Sequence, residues 1–302
     1  MTAVYSVGSR LFEVGFRALG LRRRLVGGEH LPRTGPGILA SNHIGYLDFS
    51  FVMLAPPRPR REVRFLARAE FFEQPVTGFL LRQLGQIPVD VHGDAPAAIA
   101  MATERLQQGE LVGLHPEGTI SPSFVTRPAR SGAVRLADAT GAPIIPCAVW
   151  GSQRLLTKGR PPGLSRGVAI EVRYGPPFHP RAATIAGRTQ EVMDRIEGLL
   201  ADAQRAYPQR PGPPPDDWWQ PAHLGGSAPT LEQADARIRA QIAERRAAAA
   251  QRSRRGGRPE DRRGADNGAR LRSTGDRPEP RWPTEVGRQV SVGVHRRGTA
   301  SS

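Results

Sequence analysis

Apolar and polar residues form two kinds of block over about the first 205 residues. Runs of consecutive apolar residues predict strands at 37–41, 63–66, 86–89, 111–114, 143–150 and 168–173. Helical spacing of apolar positions predicts helices between them, at 48–55, 94–107, 130–139 and 182–204. Strands that alternate with helices in this way are typical of an α/β layer architecture.

The N-terminal residues predict an amphipathic helix. Its apolar positions recur at spacings of three and four: Val4, Val7, Leu11, Val14, Ala18 and Leu21. A basic cluster, Arg22-Arg23-Arg24, follows directly. Residues 1–25 therefore fit a helix that lies on an anionic membrane surface. They fit equally well a helix that packs on the core and is followed by a solvated turn.

Composition divides the rest of the chain into three parts. Residues 26–205 have the pattern of a packed domain, and residues 206–250 combine a Pro-rich linker, Trp218 and Trp219, and a helix predicted from Thr230 to Ala250. We expect the two tryptophans to pack onto the domain, the alternative being a bilayer interface. Residues 251–302 are rich in Arg, Gly and Pro and predict a disordered tail.

Charge and cysteine content limit the partners and the compartment. The net charge is +15, and Lys158 is the only lysine, so arginines attract phosphate-bearing partners, either nucleic acid or anionic lipid. The single cysteine, Cys147, excludes an intrachain disulfide and favours a reducing compartment. No apolar run reaches the ~20 residues of a membrane span, and the N-terminus lacks a secretory signal pattern. We therefore expect a peripheral protein at the cytoplasmic face of the cell membrane.

Candidate chemistry begins where the strand at 37–41 ends. His43 and Asp48 are five residues apart, which would turn them about 140° from each other on one continuous helix. They can meet only across a bend, which Gly45 permits, with His43 in the loop and Asp48 in the first helical turn. A histidine held by a carboxylate is a general base. The alternative is a loop histidine near an aspartate that caps a helix.

Four segments, in order, resemble the signatures of the glycerolphosphate acyltransferase family, which includes bacterial 1-acylglycerol-3-phosphate acyltransferases. They are Asn42-His43-x4-Asp48, then Arg68-Ala69-Glu70-Phe71-Phe72 with 85–90, then Pro116-Glu117-Gly118-Thr119, then Ile145-Pro146-Cys147-Ala148-Val149-Trp150-Gly151. The resemblance implies an α/β fold with a central mixed sheet flanked by helices.

The resemblance also implies roles for particular residues. His43 would be the general base and Asp48 its partner. Asn42, Glu117, Gly118 and Thr119 would help to bind the acceptor, while Pro146 would lie near the acyl donor. The reaction would acylate lysophosphatidate to phosphatidate in phospholipid biosynthesis, with acyl-CoA or acyl carrier protein as co-substrate and with no cofactor or metal.

Two positions depart from the family pattern. Val91 and Ile120 stand where the family commonly has arginines linked to the acceptor phosphate. Arg68 and Arg127 are the substitutes we select from the nearby arginines. Two alternatives remain, namely the same chemistry on another lysolipid or glycolipid acceptor, and a non-catalytic protein that binds membranes or nucleic acid. The oligomeric state stays open.

Overall fold

The computed structural model describes residues 3–54, 61–90, 95–163, 165–240 and 243–244. Within them, one sheet has the strand order β1-β7-β6-β2-β5-β3-β4. The strands are β1 (Arg22–Val26), β2 (Gly37–Ser41), β3 (Val63–Arg68), β4 (Ile87–Val89), β5 (Leu111–Leu114), β6 (Ile144–Trp150) and β7 (Ala169–Tyr174). Neighbouring strands run parallel except β6 and β7, which are antiparallel, so the sheet is mixed as expected.

Helices cover both faces of this sheet. They are α1 (Ala3–Ala18), α2 (Asp48–Leu54), α3 (Ala69–Glu73), α4 (Pro75–Gln83), α5 (Ala95–Gln107), α6 (Gly132–Thr140) and α7 (Ile185–Arg205). The alternating side chains of β2 show the division: Leu39 packs with α1 and α2, whereas Ile38 and Ala40 pack with α5, α6 and α7. Because β2 is buried on both faces, its sequence reads as one apolar run.

The α/β prediction is confirmed, with three elements missed. The bounds of β2 and β5 match the predicted ones, and the other predicted strands and the helices α2, α5, α6 and α7 are shifted by three residues or fewer. The missed elements are β1, α3 and α4. The alternative of a solvated turn at Arg22-Arg23-Arg24 was wrong, because these arginines open the edge strand β1, which pairs with β7.

The segment after α7 packs onto the domain. Trp219 is buried with Trp150 and Tyr207, which confirms the expected packing of the tryptophans. The predicted capping box is present, since Thr230 Oγ1 accepts the N–H of Gln233 at 3.2 Å. The helix that follows covers residues 231–240 and 243–244. The predicted helix end at Ala250 and the tail at 251–302 lie outside the described residues.

Within the part of the chain that the structure describes, no helix combines the length and the apolar character needed to cross a membrane.

Candidate active site

The histidine and aspartate of the first block meet at the end of β2. His43 lies in the loop directly after the strand, and Asp48 is the first residue of α2. His43 Nδ1 is 3.0 Å from Asp48 Oδ2. When the carboxylate is ionised, Nδ1 carries the proton and donates it, which leaves the Nε2 lone pair available.

The Asp48 carboxylate is fully buried and organises the loop around itself. Oδ2 also accepts the main-chain N–H groups of Ile44 at 2.7 Å and Gly45 at 2.8 Å, and Oδ1 accepts the hydroxyl of Ser152. A side chain at Gly45 would press on main-chain atoms of Leu156 and Ser152 at 3.1–3.2 Å. Glycine therefore serves the close approach of this loop to the turn after β6.

Asn42 holds the start of the same loop. Its side-chain Nδ2 donates to the carbonyl of Val149 at 3.0 Å, and its Oδ1 accepts the Val149 N–H at 2.8 Å. Asn42 is buried, at 1% exposure. Both polar atoms of the amide are therefore engaged with β6, which gives Asn42 a positioning role, and its expected contact with the acceptor stays a prediction.

A second histidine lies directly beneath the first. The rings of His43 and His115 stack with centroids 4.0 Å apart and planes 4° from parallel. His115 Nδ1 lies 3.1 Å from the carbonyl oxygens of Ser41 and Asn42, so Nδ1 carries the proton. Burial, reinforced by His43, lowers the pKa of His115 to about 3. The lower ring is therefore neutral at physiological pH and does not oppose a positive charge on His43.

The side chain of Glu117, in the third block, is hydrogen-bonded to the main chain of the first block. Its Oε1 accepts the N–H of His43 at 2.9 Å, and its Oε2 accepts the N–H of Arg127 at 3.2 Å. Burial raises the pKa of Glu117 to about 8, while these two hydrogen bonds act in the opposite direction. Both carboxyl oxygens are thus engaged within the protein, and the structure gives Glu117 a positioning role. Its expected contact with the acceptor stays a prediction.

The remaining residues of the third and fourth blocks lie in different settings. Gly118 has a φ of 66° and lies under the Arg130 side chain, with Thr119 half-buried beside it. Ile120 is buried, at 4% exposure. Pro146 lies inside the sheet on β6, opposite Ala40 in register, so its expected place near the acyl donor stays a prediction.

The two selected arginines already have carboxylate partners. Arg68 pairs with Glu70 at 2.8 Å, and the Arg127 guanidinium lies 2.6 Å from Asp235 on the helix at 231–240. Their phosphate-binding role stays a prediction, and Val91 lies outside the described residues.

Ser152 and His115 were missed by the sequence analysis. Ser152 follows the fourth block directly, and His115 precedes the third, so both stand one residue outside a recognised segment. Their positions at the ends of β5 and β6, beside the end of β2, were the available signal, because parallel neighbours end at the same edge of a sheet.

Known proteins are similar to this chain in sequence. The family model described as Acyltransferase matches residues 22–150, from β1 to the end of β6. The 1-acyl-sn-glycerol-3-phosphate acyltransferase of Bacillus subtilis is 27% identical over 181 residues, covering 57% of this chain and 84% of that protein. An uncharacterized Mycobacterium tuberculosis protein is 30% identical over 171 residues, covering 53% of this chain but only 44% of that protein.

The fold also has a solved counterpart. The crystal structure of the 1-acyl-sn-glycerophosphate acyltransferase PlsC from Thermotoga maritima superposes with a TM-score of 0.58 at 20% identity, covering 68% of this chain and 81% of that one. This likeness supports the α/β architecture. The matched segment contains the histidine, the aspartate and the residues that hold them, except Ser152, which follows it by two residues. Residues 22–150 therefore belong to the family described as Acyltransferase, and the proteins similar to this chain include 1-acyl-sn-glycerol-3-phosphate acyltransferases.

Proposed function

We propose that the protein transfers a fatty acyl group from acyl-CoA or acyl carrier protein to the free hydroxyl of lysophosphatidate, giving phosphatidate. The main support for this proposal is the 3.0 Å contact between His43 Nδ1 and the buried carboxylate of Asp48. It fixes the imidazole tautomer and orientation, and Nε2 remains as the base. His43 is 19% exposed, so the ring is accessible at one edge.

The reaction would use this pair in two proton transfers. Nε2 takes the proton from the acceptor hydroxyl while its oxygen attacks the thioester carbonyl carbon, and Asp48 stabilises the resulting imidazolium. The tetrahedral intermediate then collapses with cleavage of the C–S bond. The imidazolium returns its proton to the departing thiolate, which leaves the base ready for another turnover.

Direct transfer needs no acyl-enzyme. Cys147 lies fully buried in β6, and burial raises the pKa of its thiol. A buried, protonated thiol is a poor nucleophile. The acceptor hydroxyl is therefore the attacking group in this proposal.

A peripheral membrane location suits a lipid acceptor, and α1 supplies a surface for it. Val7, Leu11 and Val14 follow helical spacing and are 64%, 60% and 61% exposed, whereas Tyr5 and Phe16 of the same helix are buried. On α4, which contacts α1, Val76 and Phe79 are also exposed. Exposed apolar residues on adjacent helices support docking onto a bilayer. We place this surface against an anionic membrane.

Substitution of the proposed base tests the function. His43→Ala should lower kcat for acyl transfer to lysophosphatidate by about 10²- to 10⁴-fold, the usual contribution of general-base catalysis. His179→Ala, at an exposed histidine outside the site, is the matched control and should retain wild-type activity. Transfer that survives His43→Ala would contradict the catalytic assignment.

A different acceptor is the second candidate, and Ile120 is the observation that favours it. This buried apolar side chain supplies no charge where the family commonly has arginine. Wild-type protein should be assayed against lysophosphatidate, other lysolipids and uncharged monoacylglycerol. Preference for an acceptor without a phosphate monoester would replace the first proposal with the second. A non-catalytic binding protein is not supported, because residues 22–150 match a family of enzymes.

A further inference from the structure

The loop between Gly118 and α6 carries an arginine that meets a carboxylate from the C-terminal segment. Arg127 Nη2 lies 2.6 Å from Asp235 Oδ1, and the two side chains are 16% and 32% exposed. Asp235 stands on the helix at residues 231–240, beyond the matched range 22–150. The pair thus joins the family part of the molecule to a segment that follows it.

The arginine and the carboxylate of this ion pair do not satisfy each other's hydrogen-bonding groups. Arg127 Nη1 and Asp235 Oδ1 are both buried and have no hydrogen-bond partner among the residues that the structure describes. The charges are close, yet the groups do not face each other as hydrogen-bonding partners should. Buried polar atoms without partners cost free energy. An anion that could satisfy the whole planar guanidinium would therefore compete well with Asp235.

Arg127 is also tied to the catalytic loop. Its main-chain N–H and that of His43 bind the two oxygens of one carboxylate, that of Glu117, at 3.2 and 2.9 Å. In lysophosphatidate, the free hydroxyl on the middle carbon is separated from the phosphate by one further carbon and an ester oxygen. A phosphate at Arg127 would therefore suit a hydroxyl presented to His43.

We propose that Arg127 binds the acceptor phosphate and that Asp235 occupies its guanidinium until the acceptor displaces it. This inference rests on the proposed function and assigns the cation that Ile120 does not provide. The carboxylate of Asp235 stands in for the phosphate in the unliganded protein. The C-terminal segment thereby weakens acceptor binding and favours ligands with enough negative charge to displace a carboxylate.

The tryptophans hold this segment independently of the ion pair. Trp219 is buried, and its carbonyl accepts the Nε2 of Gln153 at 3.1 Å. The Trp218 ring contacts Phe124 edge-on at 6.2 Å and receives the guanidinium of Arg160 at 4.0 Å. Loss of the Asp235 charge should therefore leave the segment in place, so a change in acceptor binding can be separated from a change in fold.

Acceptor kinetics test the proposal. We would measure kcat and KM for lysophosphatidate and for uncharged monoacylglycerol in Asp235→Asn, Arg127→Gln and the double variant. Asp235→Asn should lower the KM for lysophosphatidate several-fold, and Arg127→Gln should raise it about tenfold or more, with no change for monoacylglycerol. In the Arg127→Gln background, Asp235→Asn should have no further effect, because its target is gone.

Controls are available elsewhere in the chain. Asp138→Asn breaks a surface pair with Arg188 of the same length, 2.6 Å, between α6 and α7, and should leave both KM values unchanged. Arg130→Gln changes a neighbouring arginine of the same loop. If Arg127→Gln lowers the unfolding temperature, Arg127→Lys should keep the charge and recover most of the binding. A rise in KM with Arg130→Gln and none with Arg127→Gln would overturn the assignment.

Direct binding distinguishes this inference from the proposed function. Glycerol 3-phosphate is titrated calorimetrically into wild type, Asp235→Asn and Arg127→Gln. Tighter binding to Asp235→Asn and loss of binding to Arg127→Gln would support the phosphate site. This support would hold even if the enzyme turned over an uncharged acceptor faster, because that preference would refute only the proposed function. Equal binding to all three proteins would refute the phosphate site whatever the turnover shows.

Discussion

Replacement of Ser152 by alanine tests whether the turn after β6 contributes to catalysis. Its hydroxyl donates to Oδ1 of Asp48, and both side chains are fully buried. A hydrogen bond to a charged group is worth ~1.5–3 kcal/mol, so Ser152→Ala should lower the free energy of unfolding by about that amount. The freed oxygen also lets the carboxylate turn away from His43. We expect kcat to fall about tenfold, which corresponds to ~1.4 kcal/mol in the activation barrier.

The matched control for this substitution is Ser50→Ala. Ser50 is equally buried and lies in α2, but its hydroxyl donates at 2.6 Å to the neutral carbonyl of Leu47. Its loss should cost ~0.5–1.5 kcal/mol of stability and leave kcat almost unchanged. Urea unfolding and steady-state acyl transfer to lysophosphatidate provide the two measurements, with KM unchanged in both variants because neither serine is exposed. Equal kcat values for the two variants would show that Ser152 acts only on stability.

Three further predictions concern other parts of the molecule. His115→Ala removes the ring that stacks on the imidazole of His43, the proposed base, so kcat should fall about tenfold with little change in KM. An unchanged kcat in steady-state kinetics would show that His115 has only a structural role. The carboxyl of Glu117 has its pKa raised from 4.5 to about 8 by burial. The folded chain therefore binds that proton more tightly than the unfolded chain, and this stability is lost as the pH rises from about 4.5 to about 8. Glu117→Gln should flatten that dependence in urea unfolding, and an unaltered slope would argue against it. The double variant Leu11→Asp, Val14→Asp should bind anionic vesicles at least tenfold more weakly in a sedimentation assay. The control Ile185→Asp, at an exposed residue of α7, should bind as the wild type does. Equal losses of binding in the two variants would show that α1 is not the membrane surface.

Much of the fold could be predicted because burial on both faces leaves a simple pattern. The strands β2 and β5 are central and continuously apolar, and both were placed with their observed bounds. The strand β1 has no such pattern, because it opens with three exposed arginines at the edge of the sheet. Arg23 instead pairs with Glu13 of α1 at 2.6 Å, a contact distant in sequence that no local rule detects.

The contact between His43 and Asp48 could be predicted because the sequence resembles the family's first signature and because the spacing of the two residues after a strand requires a bend. The loop position of His43 and the helical start at Asp48 follow from that requirement. The supporting residues could not be predicted in the same way. Ser152 reaches Asp48 from 104 residues away, and the stacking of His115 under His43 depends on how β2 and β5 lie side by side. The pairing of Arg127 with Asp235 likewise depends on the return of the C-terminal segment.

The two hydrogen bonds between Asn42 and Val149 have a mechanical consequence. The amide of Asn42 both donates to and accepts from the main chain of β6, as the peptide group of a neighbouring strand would. The side chain of Asn42 thus extends the hydrogen bonding between β2 and β6 by one pair, at the point where the main chain turns away from the sheet. The chain therefore leaves the sheet from a fixed point, which sets the main-chain position of His43, the next residue. Aspartate at this position keeps the shape but lacks the N–H donor, so only the hydrogen bond from the Val149 N–H would remain and the start of the loop would be held less firmly.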